Sequence, residues 1–453
     1  MRRQLFRDKH FYGTLLSLAI PIMIQNLISS CLNMIDTFMI GQLGEVAIAA
    51  VGSSNQFFFL LSLFLFGINS GSSIFTSQFW GKKDIKNIHR VMGLSLCSGL
   101  FIALIFTFGA LIFPSTILRI FSSQPSVLTA GSEYLSVVAF TYIIYAVNTT
   151  LSFSLRSIGK PKLPMVISAV AILTNTVLNY ILIFGKFGFP AWGVRGAAIA
   201  TLIARIVEFV LLMRLVFRKD SVLRASISEM LSFSSAFVKT FYKTSSPVIA
   251  NEGFWALASM LCTVAYSTLG TEALASIQIT NTVQEVFLVV VMGLANSACI
   301  MIGNKIGEGE DATAILYSRR FVKLGVILGV ICAAILFGIA PFILKIFSIS
   351  TYTFKTSLYA LRIMSLVLAF KFFNLVMVIG ILRGGGDTAF AFVTEISCMW
   401  AIAVPLAFLG AALLRLPLHI VIAIVGIEEL VKTILILPRL RSNKWIHNIV
   451  HNL

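Results

Sequence analysis

Acidic residues are scarce in this chain. Its 453 residues include 18 Asp and Glu against 35 Lys and Arg, and charge of either sign makes up only 12%. A soluble domain is about one-quarter charged, so an ordinary soluble globular fold is excluded. Histidine is also sparse. His10, His89, His419, His447 and His451 are scattered near ends and loops, and no H-E-x-x-H string exists to hold a catalytic zinc. No G-x-x-x-x-G-K-[ST] string occurs, so nothing here supports direct drive by ATP. A membrane enzyme is disfavoured, and no cofactor is expected. The six cysteines (Cys31, Cys97, Cys262, Cys299, Cys332 and Cys398) form no C-x-x-C pair and lie in apolar segments. They read as small buried apolar side chains, not as a disulfide framework or a zinc site. No A-x-A-like cleavage site follows the basic stretch Met1–His10, so the first apolar run reads as an uncleaved span.

What the chain does have is hydrophobic length. Apolar residues reach 58%, with a mean hydropathy of +0.94. The formal charge of +17 would suggest nucleic acid in a soluble protein. Here the positive residues sit at the ends of apolar runs, with no basic stripe interleaved with aromatics, so the partner is a lipid bilayer and not a nucleic acid. A span needs about 20 mostly apolar residues. Twelve are expected, at 12–38, 47–77, 90–113, 131–154, 163–185, 193–216, 241–266, 273–303, 320–345, 357–381, 388–413 and 417–437. The longest hydrophilic connection, Phe217–Thr240, divides an N-lobe (1–216) from a C-lobe (241–453, with a cytoplasmic tail) across the loop 217–240. One set of ends and loops holds 25 Lys and Arg, beginning with Arg2, Arg3, Arg7 and Lys9. The opposite set holds only Arg119, Lys186, Arg195, Lys345, Lys355 and Arg415. Both termini are therefore expected in the cytoplasm, in a multi-pass protein of the cell (plasma) membrane that acts as a monomer.

The chain is also written twice. Pro21 recurs as Pro247, Leu43-Gly44 as Leu269-Gly270, Gly67 as Gly293 and Gly81 as Gly307, each at an offset of 226; Leu118–Ser122 returns as Leu344–Ser348. Leu155-Arg156 and Gly159 return as Leu382-Arg383 and Gly386 at 227. Two halves of equal orientation make a parallel repeat, an architecture that suits a secondary transporter. The expected fold is all-α and integral to the membrane, with twelve transmembrane helices in two six-helix pseudo-repeat lobes around a central cavity. Gly67 and Gly293 read as close-packing positions, and Gly81 and Gly307 as helix C-caps. Pro21 and Pro247 read as a packing kink or a hinge.

Chemistry is expected where the two halves differ, because a charged side chain within a span is a functional hypothesis by default. Asp36 lies on span 1 opposite Cys262 of the repeat. Such a carboxylate can take up and release a proton, or it can reach the outer headgroup region. Asn175 and Asn179 share one face of span 5 at i and i+4, where the repeat has Ile402 and Leu406, and Thr201 on span 6 adds a hydroxyl. Together these supply oxygen ligands for a hard cation or hydrogen bonds to a titrating Asp36; interhelical amide glue is the bland alternative. Glu252 on span 7, opposite Asn26, and Glu285 on span 8, opposite Phe59, are candidates for holding a cationic substrate. Lys371 on span 10 is a candidate counter-ion, or it snorkels. Arg205–Glu208 and Glu428–Lys432 read as local ion pairs. Phe57, Phe58, Phe59, Phe254 and Trp255 are candidate walls of an apolar cavity, and aromatic walls with few acids favour lipophilic cations.

These residues resemble the multidrug and toxic compound extrusion (MATE) family across all twelve spans. The resemblance rests on Pro21 with Asp36 and Phe38-Met39-Ile40-Gly41, on the Leu-Gly-x-x-Ala-Leu/Ile-Ala pattern after spans 1 and 7, and on Asn175-x-x-x-Asn179 before Ile183-Phe184-Gly185. Gly196–Thr201, Glu252 and Leu382–Thr388 complete it. It implies antiport: export of organic cations driven by inward H⁺ or Na⁺, with Asp36, Asn175, Asn179 and Thr201 as the ion-coupling cluster, including a Na⁺ site there, and Glu252 in the second lobe. Two departures favour H⁺. Asn179 stands where relatives often have Asp, and 357–381 contains no carboxylate. The alternative is a flippase for a lipid-linked or other amphiphilic substrate, whose cavity needs cations for phosphate; a channel fits two inequivalent lobes less well.

Overall fold

The computed structural model describes residues 8–347, 349–451 and 453, without the side chains of Cys31, Leu32 and Asn33. Arg2, Arg3 and Arg7, the Cys31 side chain and Ser348 of the repeated string lie outside the described residues.

Long apolar segments fold as helices in a bilayer because a helix satisfies its own backbone. Twelve form among the described residues, one for each expected span. They are α1 Lys9–Gly41, α2 Glu45–Lys82, α3 Ile85–Ile112, α4 Pro125–Ser157, α5 Lys162–Phe184, α6 Gly193–Val216, α7 Ser235–Ser267, α8 Thr271–Gly307, α9 Asp311–Leu344, α10 Thr351–Leu382, α11 Thr388–Leu413 and α12 in two pieces, Leu418–Val425 and Ile427–Arg441. Ten are long and apolar enough to cross a membrane by composition alone. The other two are α6, diluted by Arg195, Arg205, Glu208 and Arg214, and α12, interrupted at Gly426.

Several repeated residues acquire a physical reason. Gly44 and Gly270 have φ of 102° and 106° at the starts of α2 and α8, and Gly159 and Gly386 have φ of 81° and 83° in the turns after α4 and α10. These are left-handed positions that glycine tolerates best, reproduced in both halves. The C-cap expectation for Gly81 is corrected: α2 runs on to Lys82, and Lys83 takes the left-handed conformation at φ 61°. Beyond Gly307 the left-handed residue is Gly309, at φ 76°.

The repeat is not perfectly regular. Its offset is 226 at Asn148 and Asn374 but 227 at Leu155 and Leu382. The intervening stretch Val376–Leu382 is π-helical. A π turn absorbs one extra residue without ending the helix, so the insertion is taken up there and Arg383 stays in phase with Arg156. Further π segments occur in α11 at Met399–Ala403 and Leu409–Leu413.

Two compact units result, one of Met1–Ala19 with Ser246–Leu453 and the other of Ile20–Ser245. The divisions fall inside α1 and α7, not in the loop 217–240. The opening turns of α1 pack within the first of these units: Phe11 meets Tyr317 and Phe321 at ring-centroid distances of 4.8 and 5.3 Å, and Asp8 pairs with Arg320 Nη1 at 2.7 Å. The opening turns of α7 pack in the other unit, with Phe241 stacked on Phe75 at 5.5 Å and Phe237 on Phe79 at 6.3 Å. Phe11 and Phe237 are equivalent in the repeat, at the offset of 226. The core of unit Ile20–Ser245 is built on Leu61, Leu65, Leu135, Tyr142 and Ile183. Small residues such as Ala265, Ala360, Ala407 and Ala411 build that of the other.

Candidate functional site

The site in unit Ile20–Ser245 begins with helix spacing. Ser168, Asn175 and Asn179 fall on the buried face of α5, and Thr201, Arg205 and Glu208 share a face of α6. Two hydrogen-bonded chains follow. In the first, Asn179 Nδ2 donates to Asp36 Oδ1 at 2.6 Å and to Asn175 Oδ1 at 3.1 Å. Asn175 Nδ2 donates to Thr201 Oγ1 at 3.3 Å, and Thr201 donates to the Ala197 carbonyl at 3.0 Å. All four residues expected to form one cluster are brought together.

The second chain joins groups that spacing does not reveal. Arg156 Nη2 donates to Gln25 Oε1 at 2.6 Å, Gln25 Nε2 to Ser168 Oγ at 2.9 Å and Ser168 Oγ to Glu208 Oε1 at 2.9 Å. Glu208 Oε2 accepts from Arg205 at 2.9 Å and from Asn148 Nδ2 at 3.2 Å. Arg205 also lies 4.9 Å over the Tyr145 ring. The Arg205–Glu208 pair thus forms, as its spacing predicts, but within a larger network. Both chains line a cavity of about 750 Å³, with Phe58, Phe59, Tyr145 and Phe153 among its walls. Phe57 packs instead on Phe106, at 4.8 Å. A shallower pocket of about 820 Å³ beside Met34, Phe38, Tyr180 and Phe184 has Lys186 as its only charged lining residue.

The second unit places its expected residues differently. Glu252 Oε1 is bound to Arg383 Nη2 at 2.7 Å, with the arginine 2% exposed. It is a neutralised carboxylate, not a bare one. Glu285 is exposed on α8. Lys371 donates to Gln284 Oε1 at 3.2 Å and has no carboxylate within 4 Å among the described residues, so it pairs with neither Glu252 nor Glu285. Phe254 packs on Phe392 and Trp400.

A polar centre that spacing only partly indicates lies around Lys432. Its ammonium is 2.7 Å from Glu428, 3.6 Å from Glu429 and 4.0 Å from Glu395. Asn251 Nδ2 donates to Glu395 at 3.0 Å and Asn374 Nδ2 to Glu429 Oε2 at 2.7 Å. The repeat exposes the kinship of the two centres. Gln25, Asn148, Ser168 and Arg205 correspond to Asn251, Asn374, Glu395 and Lys432 at offsets of 226 or 227. That correspondence is the signal by which the sequence could have disclosed both centres.

A sodium ion as transported cargo would need several oxygens converging on one point. In the Asp36 cluster, Asp36 Oδ1, Asn175 Oδ1 and Thr201 Oγ1 each accept from an amide nitrogen. Among the described residues no group of three or more His, Cys, Asp or Glu has metal-holding geometry.

The repeat, the paired polar centres and the twelve helices have a common explanation. The MatE family model matches residues 21–181 and again 247–409. The chain belongs to the MATE family. Members are multi-pass membrane transporters of the multidrug efflux type. Among similar proteins, the uncharacterized transporter YisQ of Bacillus subtilis strain 168 is 27% identical over 447 residues, covering 97% of this chain and 96% of its own. A probable multidrug resistance protein NorM of Thermotoga maritima is 24% identical over 400 residues, covering 87% and 84%. The fold is also that of an outward-facing multidrug resistance MATE transporter of the MOP superfamily, at 20% identity, with a TM-score of 0.86 over 95% of this chain and 96% of that one.

Proposed function

We propose that this MATE transporter is a secondary active antiporter of the cell membrane, both termini cytoplasmic, that exports lipophilic organic cations in exchange for protons by alternating access. The observation that carries the reading is the 2.6 Å bond from Asn179 to Asp36 at the wall of a 750 Å³ cavity. Its size suits a drug-like molecule, and aromatic faces there favour an organic cation. Asp36 is the proton carrier. Charged, it holds Asn179, and through it Asn175 and Thr201, in one arrangement. Protonated, it loses its charge and gains an O–H that needs an acceptor, which weakens its hold on Asn179 and changes how α1 meets α5 and α6. An ion drives transport only through different affinities for the two states, and a carboxylate held by Asn179, whose chain runs on to Thr201 of a third helix, supplies that difference. The relatives named as probable multidrug resistance proteins support drug-like molecules as substrates.

The test is dye export in proteoliposomes with pH and Na⁺ gradients imposed independently. Transport should follow the pH gradient and vanish in Asp36→Asn while the variant still reaches the membrane and binds dye. Transport driven by Na⁺ alone, or retained in Asp36→Asn, would overturn the reading.

A further inference from the structure

The repeat carries an asymmetry of charge. In the second unit Arg383 is neutralised by Glu252 at 2.7 Å. The equivalent arginine in the first unit, Arg156, faces Gln25, and the position equivalent to Glu252 is Asn26. The two halves share the arginine, and where the second has an acid the first has an amide. Arg156 therefore has no carboxylate within 4 Å among the described residues, and its buried Nε has no hydrogen-bond acceptor. It lines the 750 Å³ cavity beside Asn26, Ser152 and Phe153. A half-buried guanidinium is best stabilised when an anion meets it, and here the protein offers it the Gln25 amide and the Phe153 ring, 5.2 Å from its Cζ.

We propose that Arg156 is an anion subsite of the cavity, taking a carboxylate carried by the transported molecule, so that among the organic cations exported those that also carry a carboxylate are preferred. The inference rests on reading this cavity as the substrate chamber and adds the recognition of a second, negative group. Gln25 occupies one terminal nitrogen of the fork and leaves other donors for the ligand, an arrangement suited to a planar oxyanion. Opposite charge is supplied further along. Asp36 lies eleven residues beyond Gln25 on α1, roughly 16 Å at the helical rise, and lines the same cavity.

The experiment uses one rhodamine in two forms, the free acid (a zwitterion) and its ethyl ester (a cation). Binding to the detergent-purified full chain is read by fluorescence polarisation at neutral pH. The wild type is expected to bind the acid about tenfold or more tighter than the ester. Arg156→Gln should lower the acid's affinity to that of the ester, and Arg156→Lys should retain part of the preference. Asn26→Glu restores the acid that the second half keeps as Glu252. It should abolish the preference by neutralising Arg156 from within, and it tests the idea even if Arg156→Gln fails to fold. A wild type indifferent to the carboxylate, or a preference that survives Asn26→Glu, overturns the anion subsite alone. Failure of both dyes to bind the wild type overturns it together with the chamber reading.

Discussion

Arg383→Gln should destabilise this protein far more than Arg156→Gln, although the two arginines occupy equivalent positions of the repeat. Arg383 is 2% exposed and 2.7 Å from Glu252, whose side chain is 13% exposed, so its removal strands a largely buried carboxylate. Breaking such a pair from one side costs about 3–5 kcal/mol. For a cooperative body the size of either unit, each kcal/mol moves the melting temperature by roughly 2–4 °C, so the expected fall is about 6–20 °C. Arg156→Gln loses one hydrogen bond to Gln25, about 1 kcal/mol, and also removes a charge the protein does not neutralise. Its fall should not exceed about 4 °C. The double variant Arg383→Gln with Glu252→Gln should recover most of the loss, because the stranded charge goes too. Intrinsic tryptophan fluorescence followed through a thermal ramp in detergent reads all three. Equal shifts for the two arginine variants, or a double variant as unstable as Arg383→Gln, would refute the reasoning.

Other expectations follow from single contacts. Lys432→Met leaves Glu395, Glu428 and Glu429 with no ammonium among them, and should lower stability by about 3–5 kcal/mol in the same melt, with partial rescue by Glu428→Gln. Gly159→Ala and Gly386→Ala both force a side chain into a left-handed backbone, for about 1–2 kcal/mol each. Only at Gly386 would the new Cβ also lie 2.9 Å from the His447 carbonyl oxygen, so Gly386→Ala should melt lower than Gly159→Ala. Asp387, in the turn before α11, is pushed up by burial. Its bonds to His447 and Arg439 outweigh this and hold its carboxyl below the ordinary 3.8. A depressed carboxylate contributes stability that is present above its unfolded value and lost as pH falls through its folded one. Melting curves of wild type and Asp387→Asn should therefore differ from neutral pH down to about pH 4 and converge below it.

Much of the fold was legible because membrane helices announce themselves by length and apolarity, and because the repeat fixes equivalent turns twice over. The Asp36 cluster was legible for a related reason. Its residues differ from their repeat partners, and Asn175 and Asn179 share a helix face. Arg156 was not. It ends an apolar run and counts as a loop charge until α4 is seen to extend to Ser157. Glu252 looked bare because its partner lies 131 residues away, and no local pattern encodes that contact. Glu428–Lys432 announced itself by i, i+4 spacing, but the approach of Glu395 depends on how α11 packs on α12. Alignment of the halves pairs Arg156 with Arg383 and Asn26 with Glu252, but it does not show that Arg383 and Glu252 meet.

The divisions inside α1 and α7 bear on how such a chain arose. Each half gives its opening turns to a body made mostly of the other half's residues, with Phe11 and Phe237 as matching plugs. A single ancestral copy, translated alone, would have left that socket empty and its own arm unhoused. Two copies exchanging arms would have satisfied both. In one chain the exchange is made in cis, and a break in the loop 217–240 should yield fragments that are soundly housed only when both are made together.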